Sequence, residues 1–340
     1  MACWRPSTSA SPFRRRTSSG CVKRRIGASC RAEAVAKVMM YEHAFPKAKE
    51  IFSAEEPKYL YHYTNANAFI SICDKRQLWS GRPDQMNDFK EQLHAIEEIS
   101  RLVSTAHRKA GNAGDAVLQN FCERVSQELD IERLRPKMPQ FVISLSRDGD
   151  LLSQWRAYCP RSGGYSLAIP FDVLKGLADL QEFHLSRCLY DPDEVDEVLS
   201  EVLYSYYETY QDEYSKAANY DVAYVAVRDS MLDMFAFYST FIKHEGFSEE
   251  NEWRLALLKR ADFDMDRMRV VGGEDGIRAF YTLDLDHDNF PSAVPRAFGF
   301  HAIIGPNVRP AAARYPAEVA FEKLVGEGNA AVFNTSTTYR

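Results

Sequence analysis

Three apolar, β-prone segments each carry polar side chains able to hold or act on a ligand. Tyr59–Thr64 (YLYHYT) contains His62, Phe141–Ser146 (FVISLS) contains Ser144 and Ser146, and Glu252–Leu258 (EWRLALL) contains Glu252 and Arg254. Strand side chains alternate faces with period two. Tyr59, Tyr61 and Tyr63 therefore oppose Leu60, His62 and Thr64, and Phe141, Ile143 and Leu145 oppose Val142, Ser144 and Ser146. In the third segment Trp253, Leu255 and Leu257 oppose Glu252, Arg254 and Ala256. If the three strands are neighbours, His62, Ser144 or Ser146, and Glu252 converge on one sheet face, as a polar cleft walled by aromatics. The same alternation also describes a one-sided sheet whose polar residues face water. Glu252 reads two ways as well, as a chemical carboxylate or as part of a structural segment whose Arg254 pairs with an acid such as Asp88 or Asp148. Glu250 shares the face of Glu252 if the strand begins at 250.

The elements that must position these residues follow from period and punctuation. Asn65 or Asn67 caps a helix carrying Phe69, Ile70 and Ile72, and Gly81-Arg82-Pro83 breaks the chain. Phe89, Leu93, Ile96 and Val103 keep helical spacing, as do Val117, Phe121, Val125 and Leu129 after an Asp115 cap. Asp148 or Asp150 caps a short helix through Trp155 and Tyr158. Strands are expected at 165–171 and 184–190. Asp191-Pro192-Asp193-Glu194 is a strong helix start, and a second helix covers 222–242. The Met and aromatic stripe of the latter (Met231, Met234, Phe235, Phe237, Tyr238) reads as core packing. Further strands are expected at 252–258, 268–271, 279–285 and 300–304, then an amphipathic helix over 310–324. Strands at both ends with helices inserted between them predict an α+β fold with a mixed or antiparallel sheet. The expected organisation is a basic leader over 1–40, one domain over 41–330 with helical insertions at about 89–130 and 191–243, and a tail over 331–340.

The net charge of −6 conceals an asymmetry. Residues 1–38 carry nine Lys and Arg against the single acid Glu33. With 42 basic and 48 acidic residues in all, residues 39–340 hold 33 and 47, a net −14. An acidic body repels phosphate backbones, which disfavours general nucleic-acid binding by the core. The Ser/Arg-rich leader cannot fold alone; it reads as a solvated leader upstream of Met39 or Met40, an organelle-type presequence or a nucleic-acid arm. Seven scattered cysteines without a C-x-x-C pair fit a reducing, cytoplasmic setting. No apolar run approaches the roughly 20 residues needed to cross a bilayer. Asp284-x-Asp286-x-Asp288 lacks the Gly and Glu of a calcium loop, so no metal is expected. Lys243-His244-Glu245 reads as a base pair or an anion contact, or as a helix end with basic residues against the dipole.

Several segments resemble a bacterial family known as domain of unknown function 2971. They are YHYT (61–64), Leu78-Trp79 with Met86-Asn87-Asp88 and Glu91, SLSRDGDLLSQWRAY (144–158), KHEGFSEENEWRL (243–255) and Ile303-Ile304-Gly305-Pro306. The order of elements in turn resembles the ADP-ribosyltransferase superfamily, where an early strand supplies His, a middle strand Ser or Tyr, and a late strand Glu. That resemblance implies an NAD-processing enzyme, a transferase or glycohydrolase with NAD as substrate, a protein or nucleic-acid acceptor, and a role in bacterial conflict or phage defence. Glu252 would stabilise charge developing on the ribose, His62 would hold the other ribose, Ser144 or Ser146 would brace the nicotinamide, and Tyr63 or Trp155 would stack on a flat ring. Arg156 and Arg254 join the expected nucleotide contacts. A non-catalytic module that binds a nucleotide or a protein through the same cleft is the alternative.

Overall fold

The computed structural model describes residues 45–337 apart from 54–55, 84–88, 135–136, 138–140, 160–162, 258–263, 274–275, 287–298 and 307–308. The basic leader, Asp88, Asp262 and the Asp288–Pro295 stretch lie outside the described residues. Ten helices are described: α1 (Pro46–Ser53), α2 (Ala66–Lys75), α3 (Phe89–Ala113), α4 (Ala116–Glu128), the short α5 (Ile131–Leu134), α6 (Leu152–Tyr158), α7 (Phe171–Leu180), α8 (Pro192–Ala217), α9 (Tyr220–Ser239) and α10 (Pro310–Val325). Ten strands accompany them: β1 (Tyr59–Thr64), β2 (Gln77–Gly81), β3 (Val142–Ser146), β4 (Tyr165–Pro170), β5 (Phe183–Arg187), β6 (Glu252–Leu257), β7 (Met268–Gly273), β8 (Gly276–Asp284), β9 (His301–Ile304) and β10 (Val332–Asn334).

Local chemistry sets the helix starts. Asn65 Oδ1 accepts the Ala68 amide at 3.0 Å, Asp115 Oδ1 accepts that of Leu118 at 2.9 Å, and Asp191 caps α8 through the Asp193 amide with Pro192 in the first turn. Each cap satisfies a backbone donor that helix geometry leaves without a partner. The short helix α6 departs from expectation: its N-cap is Leu151, with no side-chain cap. Asp150 instead accepts the Trp155 indole N–H at 2.8 Å, the Ser336 amide and hydroxyl at 2.8 Å each, and the Thr335 hydroxyl. The C-terminal segment, expected as a tail, thus supplies β10 and a latch on the loop before α6.

All strands belong to one open, mixed sheet with the order β10-β9-β4-β1-β3-β2-β8-β7; β6 lies on β3 and β5 lies on β6. The pair β10–β9 is parallel and the other named pairs are antiparallel. Strand β3 is the branch point. β6 pairs with it along its whole length, from Val142↔Ala256 to Ser146↔Glu252. On its other edge β1 meets it only at Tyr61↔Ser146 and β2 only at Gly81↔Val142. The sheet therefore forks around Ser144.

One face of the sheet packs Leu60, Ile143, Leu145, Leu167, Trp253, Leu255 and Leu283 against Phe69 and Ile72 of α2, Leu174 and Leu177 of α7, and Phe321 of α10. On the other face Val142 and Ala256 join a separate core formed by α1, α3, α4, α8 and α9. The Met and aromatic stripe of α9 lies in that core, fully buried as its pattern predicts. The two insertions are thus one helical layer covering part of the sheet.

Candidate functional site at the sheet fork

The register decides which side chains meet. Residues paired across antiparallel strands point to the same face. Tyr61, Ser146 and Glu252 therefore share one face, with Ser144 and Arg254 beside them. In β2 and β8, Trp79, Gly81 and Phe280 lie on that face too, through Gly81↔Val142 and Gly81↔Phe280. His62 does not. It pairs with Leu167, so its side chain leaves β1 on the face of Leu60 and the α2/α7/α10 core. The expected convergence of His62, Ser144 and Glu252 on one face is corrected by a half-pleat: Tyr61 occupies the place expected for His62.

All the same, the fork joins His62 to the others. Where β1 and β2 diverge, a cavity of about 210 Å³ opens, lined by Tyr61, His62, Tyr63, Trp79, Ser144, Ser146, Gln154, Tyr158, Glu250, Glu252 and Phe280 among others. The imidazole Nδ1 of His62 lies 3.3 Å from the Ser144 carbonyl oxygen. A carbonyl only accepts, so Nδ1 carries the proton, and Nε2 of the neutral ring keeps its lone pair. Burial holds the imidazole below its ordinary pKa, against the opposing pull of the Ser144 carbonyl, so the ring is neutral at pH 7. The Ser144 hydroxyl is buried and has no hydrogen-bond partner among the described residues. Tyr63 braces the wall: its hydroxyl donates to the Asp148 carbonyl at 2.7 Å and accepts the Leu151 amide at 2.9 Å, while its ring packs edge-on against Trp155.

Glu252 forms a charged floor. Its Oε2 receives Lys243 Nζ at 2.5 Å and Arg254 Nη2 at 3.3 Å, and its Oε1 receives Arg254 Nε at 2.8 Å. The side chains of Lys243 and Glu252 are 2% and 5% exposed. Burial alone would push the Glu252 carboxyl up, but the charges and hydrogen bonds of Arg254 and Lys243 outweigh it and hold the group down at about 2. Arg254 also donates to the Thr240 carbonyl at 2.7 Å, and Lys243 to Glu250 at 2.7 Å. The acid observed on Arg254 is Glu252; of the two acids expected there, Asp148 accepts from Asn251 at 2.7 Å and Asp88 lies outside the described residues. Lys243 follows α9 and is no helix-end charge. A parallel bridge between Leu189 and Ile242, with the Lys243 amide donating to the Leu189 carbonyl at 2.9 Å, carries it over Glu252.

The remaining expected residues divide. Ser146 lines the cavity, but its hydroxyl donates to the Glu250 carbonyl at 2.8 Å and accepts the Asp148 amide at 3.1 Å, which ties two loops together. Trp155 is wholly buried, with its indole N–H on Asp150, and does not line the cavity. Its ring position is set from behind, where Gly305 approaches so closely that a Cβ would stand 2.7 Å from the indole carbons. Arg156 is exposed and outside the lining, and Arg254 lies behind Glu252. Trp79, Phe280 and Gln154 were missed by the sequence reading, although Trp79 stands in the recognised Leu78-Trp79 pair, and Lys243 was singled out without its partner Glu252.

Residues 154–255 match the family model described as protein of unknown function, DUF2971. The matched segment runs from α6 to β6 and contains Gln154, Lys243, Glu250, Glu252 and Arg254. His62 and Ser144 lie before it. No curated protein and no solved structure matches the chain. No described helix is long and apolar enough to cross a membrane.

Proposed function

We propose that this domain is a nucleotide-binding module that receives the ring-and-ribose end of a ligand such as NAD in the fork cavity. One observation carries the reading: Ser144, whose buried hydroxyl has no hydrogen-bond partner among the described residues, is part of the lining of an aromatic-walled cavity beside a neutral His62. A buried hydroxyl without a partner costs about 1–3 kcal/mol, so a ligand amide or sugar hydroxyl that satisfies it gains in proportion. Trp79, Tyr61 and Phe280 offer faces and edges for a flat ring, and His62 Nε2 offers an acceptor. The volume limits the ligand. At about 210 Å³ the cavity is smaller than the roughly 300–1,000 Å³ usual for drug-sized ligands, so a dinucleotide would lodge one end and lay the other along the surface.

Binding without turnover is favoured by the state of Glu252, whose two oxygens are both held by cations. A second reading, cleavage of the nicotinamide–ribose bond, draws on the ionised Glu252 lining the same cavity. There the C1′–N bond would break with its electron pair on nicotinamide. Water or an acceptor would add to C1′ and lose a proton, and the carboxylate would stabilise the positive charge in between. The test is thermal unfolding of the full chain with NAD, adenosine nucleotides and nicotinamide, paired with chromatography of released nicotinamide. A stabilisation by NAD that His62→Ala abolishes and Glu252→Gln preserves, without nicotinamide release, is the expected result. Release by wild type that Glu252→Gln removes would establish the second reading. If no nucleotide shifts the unfolding, nucleotide binding is overturned.

A further inference from the structure

A second cavity, of about 240 Å³, lies at the free edge of β5, which pairs with β6 alone among the described strands. Helix α1 covers it, and its walls are aromatic. Phe52 stacks on Tyr238 with centroids 5.7 Å apart, and Phe171 meets Trp253 edge-on at 5.3 Å. Across the strand edge lies His184, whose ring touches Phe237 and Phe241 edge-on at 5.0 and 5.5 Å. Among the described residues no hydrogen bond reaches its nitrogens, although it lines the cavity. Burial first, and the charge of Lys175 second, depress it to about 4, so at pH 7 it is a neutral ring with one donor and one acceptor. Lys49 and Lys175 stand in the lining against the single acid Glu56, which lies 3.5 Å from Lys175 Nζ. The charged groups lining the cavity thus sum to one positive charge.

We propose that this cavity binds a single-ring aromatic carboxylate, its ring against Phe52, Phe171 and Trp253, its carboxylate on Lys49 and Lys175, and a polar ring substituent on His184. The three features fit together. The aromatic side chains in the wall suit a ring, the cationic excess suits one negative charge, and a neutral imidazole suits a group able to donate or accept. A volume below the roughly 300–1,000 Å³ of drug-sized sites suits a ligand of one ring. The site is separate from the fork cavity: the two share no lining residue.

Calorimetric titration of the full chain with 4-hydroxybenzoate, benzoate, benzamide and acetate tests the assignment. Saturable one-to-one binding of 4-hydroxybenzoate is expected, weaker for benzoate and weakest for benzamide and acetate. Lys175→Ala and Lys49→Ala, both at side chains that reach solvent, should each weaken it about tenfold, the scale of one charge-assisted contact. His184→Phe should remove the advantage of the hydroxyl, and Ser144→Ala should leave binding intact. Absence of saturable binding, benzamide binding as tightly as benzoate, or indifference to both lysine substitutions would overturn the proposal. Loss through Ser144→Ala would instead place the ligand in the fork cavity, and overturn it too.

Discussion

Replacing Glu252 by Gln removes the charge that holds two buried cations, and the structure sets the size of the effect. The carboxyl titrates at about 2 in the folded chain, against a reference value of 4.5. A depressed acid contributes stability that is fully present above the unfolded pKa and is lost as pH falls through the folded one. The 2.5-unit difference corresponds to about 3 kcal/mol at 1.36 kcal/mol per unit. Breaking a buried ion pair by removing one partner costs a similar ~3–5 kcal/mol. Some of this is recovered, because Gln still accepts from Arg254, Lys243 keeps Glu250, and Arg254 keeps the Thr240 carbonyl. We expect Glu252→Gln to lose about 2–3 kcal/mol at pH 7, lowering the unfolding midpoint by about 3–5 °C for a domain of this size. The pH dependence is the sharper criterion. The gap between wild type and variant should be flat above about pH 4.5 and shrink to about 1 kcal/mol near pH 3, as the wild-type advantage titrates away. Urea unfolding followed by circular dichroism from pH 3 to 8 measures it. Equal stability at pH 7, or a gap that does not change down to pH 3, would refute the account of Glu252 as an ionised member of a buried network. The same loss means that any activity of the variant must be normalised to its folded fraction.

Other expectations follow from single atoms. Ser144→Ala removes a buried hydroxyl that has no hydrogen-bond partner among the described residues; the ligand-free protein should be unchanged or up to ~1 kcal/mol more stable, while nucleotide-induced stabilisation falls, both read by thermal unfolding. Gly305→Ala places a Cβ 2.7 Å from the Trp155 ring and 3.2 Å from the Gly164 carbonyl, and should cost about 1–3 kcal/mol in urea denaturation through overpacking. Burial pushes the thiols of Cys73 and Cys122 up to about 12 and that of Cys159 to about 11, so iodoacetamide at pH 8 should spare all three, as mass spectrometry of the alkylated native chain will register. Ending the chain at Asn334 removes Thr335 and Ser336 from the Asp150 carboxylate; Trp155 fluorescence should then shift and unfolding should occur earlier, whereas Thr337→Ala alone, which retains those partners, should have little effect.

Much of the fold is written in short-range pattern. The Asn65, Asp115 and Asp191 caps announce helices because each side chain satisfies a local amide, and that chemistry needs no tertiary partner. Period-two alternation likewise marks β1, β3 and β6. The assignment of faces within one strand was sound, but alignment between strands was not legible. Register depends on pairing between distant segments, and a one-residue offset exchanges Tyr61 for His62. Strand β2 escaped notice because Gln77–Gly81 is short and ends at the Gly81-Arg82-Pro83 break, so the second arm of the fork was invisible. The burial of Lys243 against Glu252 escaped for a different reason. A lysine after a helix ordinarily faces water, and only the tertiary bridge between Leu189 and Ile242 turns it inward. Trp155 illustrates the converse: an aromatic near a cleft was assigned a ligand, and its indole N–H instead holds Asp150, which Thr335 and Ser336 also grip.

The branching of the sheet at β3 has a mechanical corollary. No backbone ladder joins β1 to β2, because each touches the shared strand at one residue, near opposite ends. The spread between the two arms can therefore change without unzipping any strand pair. On the β1 side widening meets the contact between His62 and the Ser144 carbonyl, whose net worth is about 1 kcal/mol, and the Tyr63 hydroxyl held by Asp148 and Leu151 beyond the end of β3. A wedge-shaped guest of somewhat larger girth than the resting gap would meet a compliant jaw, so discrimination at this mouth must come from hydrogen-bonding pattern more than from width.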